Sequence, residues 1–133
     1  MTTVYQVLRE SVSKHAFRPF LHIPAVASKS YADGAIDFSY QEMADSVEAQ
    51  QLIYRAAGYG LGHRVALVLD NRSEFFVHWF ALNALGVSVV PVNSEMTTDE
   101  IAYLLDHSES CLVISLPEHI PAITEALASA QIK

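Results

Sequence analysis

Basic residues are scarce in this chain. Lys and Arg number 8 against 15 Asp and Glu, a formal net charge of −7, and the eight are scattered. A protein that neutralises the phosphates of a nucleic acid needs a basic stripe, so nucleic acid is excluded as a partner. Cysteine is scarcer still: Cys111 stands alone. One thiol forms no internal disulfide, and Met1 to Glu10 lack the basic start and apolar run of a signal peptide. Both features point to a reducing, cytoplasmic setting. The histidines at 15, 22, 63, 78, 107 and 119 never fall three or four residues apart. With no cysteine-rich partner, no metal site is expected. No Gly-x-Ser-x-Gly elbow occurs either, which removes that kind of hydrolase triad.

Charge of either sign is sparse between Phe75 and Val92, where no Asp, Glu, Lys or Arg occurs. A run of roughly 18 residues approaches the length needed to cross a bilayer. However, His78, Asn83, Gly86, Ser88 and Pro91 interrupt it. Gly86 splits it into a helix-like half and a β-branched half, so a buried helix followed by a buried strand is the better reading and no transmembrane segment is expected.

What is present is apolar mass: 51% hydrophobic residues against 17% charged. That balance excludes a disordered chain and predicts one folded domain. The same excess suits a piece of a larger body.

Val4, Leu8 and Val12 predict a helix over Thr3 to His15. Phe20 to Ile23 and Ile36 to Ser39 predict a small antiparallel β ribbon, with Ala27 to Ala35 as a turn segment between them. Ser39 and Glu42 predict a capping box opening a helix whose buried side holds Met43, Val47, Tyr54 and Ala57. Strands are then expected at Val65 to Leu69, Val87 to Val92 and Cys111 to Ser115. Between and after them come helices capped by Ser73, by Thr97 with Glu100, and by Ser115 with Glu118. Apolar faces at Ile101, Leu104 and Leu105, and at Ile120, Ile123 and Leu127, complete the last two helices. Short wholly apolar strands alternating with helices predict an α/β fold: βαβ units forming a mostly parallel sheet covered by helices, with right-handed crossovers.

Gly58, Gly60 and Gly62 invite a phosphate-loop reading, but such a loop follows a strand and opens a helix. These glycines close a helix and open a strand, so they stop and turn the chain. His78, in the most apolar helix, reads as a core histidine satisfied by a backbone carbonyl. Open α/β sheets bind ligands outside the carboxyl ends of their strands. That places Asn71, Arg72 and Asn93 as candidate binding residues. The plainer reading, preferred here, has Asn71 and Asn93 capping turns.

The order of these segments resembles the N-terminal region of the adenylate-forming superfamily. Phe38-Ser39-Tyr40-Gln41-Glu42-Met43 resembles its first motif. Gly60-Leu61-Gly62-His63-Arg64-Val65-Ala66-Leu67 is similar to its segment of two glycines followed by Asp-Arg-Val-Ala. Asn71-Arg72-Ser73-Glu74-Phe75, Ala84-Leu85-Gly86-Val87 leading to Pro91-Val92-Asn93, and the helix from Thr97 to Ser108 follow in the family's order. The resemblance covers nearly the whole chain, and within the superfamily it leans toward acyl-CoA ligases of the crotonobetaine/carnitine type. Two departures stand out. His63 replaces the usual Asp in a turn, and Glu95 occupies a place where some relatives carry a base, which argues against a coenzyme A phosphate contact there.

The resemblance implies a two-step reaction. A carboxylic acid attacks the α-phosphate of Mg²⁺-ATP to give an acyl-adenylate, and a thiol, usually that of coenzyme A, then displaces AMP. It also implies that the phosphate loop, the acidic motifs and the catalytic lysine lie downstream of the segment matched here. Residues 1–133 are therefore expected to be an N-terminal subdomain with no catalytic residue of its own, inactive alone and without a bound cofactor. Its apolar surface, above all along Phe75 to Leu85, is expected to be covered by the rest of the parent or, failing that, to drive homo-oligomerisation. The competing expectation is a stand-alone, non-catalytic α/β module that binds a partner protein.

Overall fold

The computed structural model describes residues 1–130. Helix α1 (Val4–His15) opens with a reciprocal box: Thr3 Oγ1 accepts from the Gln6 N–H, and Gln6 Oε1 accepts from the Thr3 N–H. Leu8 and Val12 are its buried residues. Strands β1 (Pro19–Ile23) and β2 (Ile36–Ser39) pair antiparallel, with an irregularity between Pro19 and Leu21. The link between them is not all turn. Pro24 leads into a four-residue helix, α2 (Ala25–Ser28), and the buried Ser28 hydroxyl closes the segment by donating to the Gly34 carbonyl at 2.7 Å.

Helix α3 (Tyr40–Ala56) buries Met43, Ala44, Val47 and Tyr54. Only half of its expected capping box forms. Ser39 Oγ accepts from the Glu42 N–H, but the Ser39 backbone still belongs to the β2 ladder opposite Pro19. Ala57 was expected on the buried side and is exposed, because the helix has ended and the chain is turning. Gly58 (φ 89°) and Gly62 (φ 91°) carry that turn in the left-handed region that favours glycine.

Strands β3 (Arg64–Val68), β4 (Ser88–Pro91) and β5 (Leu112–Ser115) form a parallel sheet in the order β4-β3-β5. Central β3 is buried on both faces, which explains why Val65 to Leu69 reads as an unbroken apolar run. Val65, Leu67 and Leu69 meet α1, α3 and α4 (Ser73–Ala84), whereas Ala66 and Val68 meet α5 (Thr98–Ser108) and α6 (Ile120–Ser129).

Thr97 and Glu100 form both halves of their box on α5. The other two expected caps do not form. Arg72 occupies the N-cap of α4, while Ser73 is inside the helix, buried, with its hydroxyl on Glu74. Ser115 donates to the Leu116 carbonyl instead, and a 3₁₀ turn (Pro117–His119) precedes α6. Pro117 and Pro121 explain the offset, since each fits only the first turn of a helix. Ile120 is exposed, and the buried face of α6 is Ile123 and Ala126 with Leu127 beside them.

His78 finds a different partner from the one expected: its Nδ1 lies 2.7 Å from the Tyr54 hydroxyl, which joins α4 to α3. The large exposed hydrophobic residues also lie elsewhere. They include Val4, Val7, Phe17, Leu52, Ile53 and Leu61, and none falls within Phe75 to Leu85. Side chains of α1, α3 and the β ribbon cover much of that helix.

Candidate binding cleft at the strand ends

The three parallel strands end on the same side, and the loops leaving them meet there. Asp70 leaves β3 at φ 57°, a left-handed conformation that costs an L residue roughly 1 kcal/mol and that Asp tolerates better than most. Its Oδ1 accepts from Ser94 Oγ at 2.5 Å in the loop after β4. Its Oδ2 lies 3.2 Å from His119 Nε2 in the 3₁₀ turn after β5. The Ser94 hydrogen bond holds the Asp70 carboxyl below its usual range; partial burial opposes this, and His119 and Arg72 add to it. One carboxylate therefore clasps three loops.

Arg72 is engaged in a second clasp. Its Nη2 donates to Glu118 Oε1 at 3.1 Å, and its Cζ stands 4.1 Å from the centre of the Tyr31 ring. With its side chain only 16% exposed, the guanidinium fastens the 3₁₀ turn and the ribbon link to the start of α4.

Asn71 is exposed at the rim, and Asn93 Oδ1 accepts from the Glu95 N–H at 2.9 Å, an Asx turn. All three candidate residues line one cleft of about 950 Å³. Leu21, Ile23, Leu67, Leu69, Phe75 and Phe76 form its apolar wall, and Asp70, Asn71, Arg72, Asn93, Ser94 and Glu95 its polar rim. A wide apolar cleft with a few convergent polar groups at the carboxyl ends of parallel strands is where this kind of sheet receives a ligand or another segment.

The chemistry of the rim is selective. The loops at 69–72, 92–97 and 116–119 contain no glycine and place Asp70, Glu95 and Glu118 at the cleft end of the sheet. A triphosphate needs free backbone amides and uncommitted positive charge, and Arg72 is already held by Glu118. These residues do not fit nucleotide phosphates. Ligand atoms of Asp70, Glu118 and His119 do lie within 4.8 Å of one another, but Ser94 and Arg72 already engage the two acids. The trio serves as a hydrogen-bonded clasp.

Sequence reasoning placed Asp70-Asn71-Arg72-Ser73 and Asn93-Ser94-Glu95 at the strand ends and selected Asn71, Arg72 and Asn93 from them; it gave Asp70 and Ser94 no role and did not join Glu118 and His119 to them. Asp70 lies 24 residues from Ser94 and 49 from His119, and no local pattern links such positions. The one available signal was that all four follow the ends of predicted parallel strands.

Comparison with known proteins decides the family. The family model described as "AMP-binding enzyme" matches residues 8–133. The chain belongs to that family. It is 33% identical over 90 residues to a crotonobetaine/carnitine–CoA ligase of Citrobacter koseri, covering 68% of the chain and 17% of the relative. It is 30% identical over 100 residues to the ligase of that name from Escherichia coli K12, covering 75% and 19%. Among solved structures, a benzoate CoA ligase from Burkholderia xenovorans LB400 superposes with a TM-score of 0.81 at 21% identity, covering 98% of this chain and 24% of that one. The inhibitor-bound N-terminal domain of FACL13 from Mycobacterium tuberculosis gives 0.81 at 23%, covering 93% and 29%. At such identities these structures establish the fold alone: the chain has the architecture of part of those larger N-terminal domains. It spans less than one fifth of the length of the curated relatives.

Proposed function

We propose that residues 1–133 form the N-terminal lobe of an ATP-dependent acid–thiol ligase, which makes an acyl-adenylate and then an acyl-CoA thioester. The observation that carries this reading is the family match across residues 8–133, seated on an open parallel sheet whose strand ends bear a cleft. In this reading ATP, Mg²⁺ and coenzyme A belong to the parent enzyme, and the substrate is a carboxylic acid. The acidic, glycine-free rim supports placing the phosphates on other parts of the parent. The lobe contributes a rigid wall: Asp70 and Arg72 hold the strand-end loops in place, and Asn71 and Asn93 face whatever enters. No catalytic step is assigned to these residues. No helix among the described residues is long and apolar enough to cross a membrane, and the reading places the enzyme in the cytoplasm.

The test uses the protein encoded by the whole reading frame. Supplied with Mg²⁺, ATP, coenzyme A and a panel of carboxylic acids that includes quaternary-ammonium acids, it should release AMP with at least one acid. Silence across the panel, with the protein folded, would overturn the ligase reading and favour a non-catalytic interaction module.

A further inference from the structure

One residue closes the turn that leads into β3 in both directions. The His63 N–H donates to the Gly60 carbonyl at 3.1 Å, and the Gly60 N–H donates to His63 Nδ1 at 3.0 Å. Gly62, at φ 91°, supplies the positive φ that a type II turn requires at its third position. The turn rests on the corner between α4 and β4. A Cβ at Gly86 would come within 3.3 Å of Leu61 Cδ1, and the His63 carbonyl accepts from the Ser88 N–H.

The bond to the ring depends on protonation. A ring nitrogen accepts only through a free lone pair, so the Gly60 N–H requires a neutral imidazole with its proton on Nε2. Protonation puts a hydrogen on Nδ1 and sets two donors against each other. A backbone N–H cannot exchange roles. The Tyr54–His78 pair is different. Burial, and then Tyr59, push the Tyr54 phenol above its usual range, so it keeps its proton. Its hydroxyl can still turn and accept from a protonated His78 across the same 2.7 Å. His63 loses its partner outright.

Few groups around His63 titrate or carry charge. Tyr59, in the same turn, presents its ring at 5.5 Å; Tyr54 of α3 stands behind it at 6.2 Å, and His78 of α4 behind Tyr54 at 5.9 Å. Arg64, next on β3, is held by Glu109, and Ser88 of β4 is neutral. Among the described residues the histidines in ion pairs are His22 and His119, so no carboxylate clamps a protonated His63 in place.

We propose that His63 is a pH-sensitive latch. Neutral, it clasps Gly60 and holds the turn on the α4–β4 corner. Protonated, it releases the Gly60 N–H and loosens Leu61 from Gly86.

The test uses the protein encoded by the whole reading frame, labelled at glycine, histidine and the leucine methyls and followed by NMR between pH 7.5 and 5. At pH 7.5 the ring nitrogen shifts should place the His63 proton on Nε2. Protection of the Gly60 amide against hydrogen exchange should fall roughly tenfold on acidification, the scale of one lost hydrogen bond, with the midpoint of the His63 ring signals. The Leu61 methyl signals should move with the same midpoint. His63→Asp, an acceptor throughout this range, should keep Gly60 protected at every pH, and His63→Ala should leave it open at every pH. A proton on Nδ1 of the neutral ring overturns the proposal, as does Gly60 protection that ignores the His63 midpoint, or Leu61 signals that stay fixed. So does a loss of protection that His78→Gln abolishes, which would assign the switch to the other histidine.

Discussion

The two faces of the sheet are built from different materials. On one, α1, α3 and α4 supply Met43, Tyr54, Phe80 and Leu82, with Phe20, Tyr40 and Trp79 packed around them. On the other, the buried cluster of α5 and α6 holds Ala66, Ala102 and Ala126 among aliphatic residues, with no aromatic in it. Small side chains let α5 and α6 lie close to β3, but they remove little area from water. The aromatic face adds edge-to-face ring pairs such as Phe20–Phe80 at 6.0 Å. It also carries the polar cross-link between Tyr54 and His78. The difference teaches that the first face buries more apolar area and anchors the fold, whereas the second holds by close approach of small side chains.

The largest expected effect sharpens this contrast. Met43 and Leu105 are both almost fully buried, one on each face. Met43→Ala should cost about 3 kcal/mol, within the range for large-to-small core changes, and should lower the whole unfolding transition. Leu105→Ala should cost about 2 kcal/mol and raise hydrogen exchange in α5 and α6 more than in α3 and α4. Urea denaturation paired with exchange measures both. Equal, global effects from the two variants would break the distinction between the faces.

A smaller effect tests the polar cross-link. Burial lowers the His78 pKa from 6.5, with nearby Glu74 opposing the shift. The fold therefore favours the neutral imidazole. This contribution is fully present above about pH 6.5 and is lost as pH falls from there toward the depressed folded value. Thermal melts between pH 7.5 and 5 should show stability declining on acidification, and His78→Gln should flatten the decline. An unchanged slope in the variant would assign it to other groups. Tyr54 sits opposite, its phenol pushed above its usual range by burial first and by Tyr59 second, so it stays protonated throughout.

The smallest effect lies at the strand ends. Asp70 is the reverse case: its pKa is lowered, so its contribution is present above its ordinary 3.8 and lost as pH falls through the depressed folded value. Asp70→Asn tolerates the left-handed backbone but weakens the bonds to Ser94 and His119. It should cost about 0.5–1 kcal/mol at pH 7 by urea denaturation, because the pair is partly open to solvent. A cost as large as that of Met43→Ala would move the anchor of the fold from the aromatic face to the clasp.

Much of this was legible in the residues. Wholly apolar strands at Val65, Val87 and Cys111, separated by helical periods, announced a parallel sheet because only a doubly covered strand is apolar on both faces. Thr97 with Glu100 announced the start of α5, since a capping box is local chemistry. Ser73 and Ser115 carried the same signal and misled. In one case burial drew the side chain inward, and in the other two prolines displaced the helix start. His78 was read as a core histidine; it is only half-buried, and its partner came from a helix 24 residues away.

Sequence alone therefore determined the order of the strands and of the longer helices, the glycine turn before β3 and the family, because these depend on side-chain period, cap chemistry and motif order along the chain; it did not announce α2 or the 3₁₀ turn. Tertiary structure alone decided that Asp70, Ser94, Arg72, Glu118 and His119 close one end of the sheet. Parallel pairing brings distant strand ends together, and nothing in a one-dimensional pattern specifies which loops will meet.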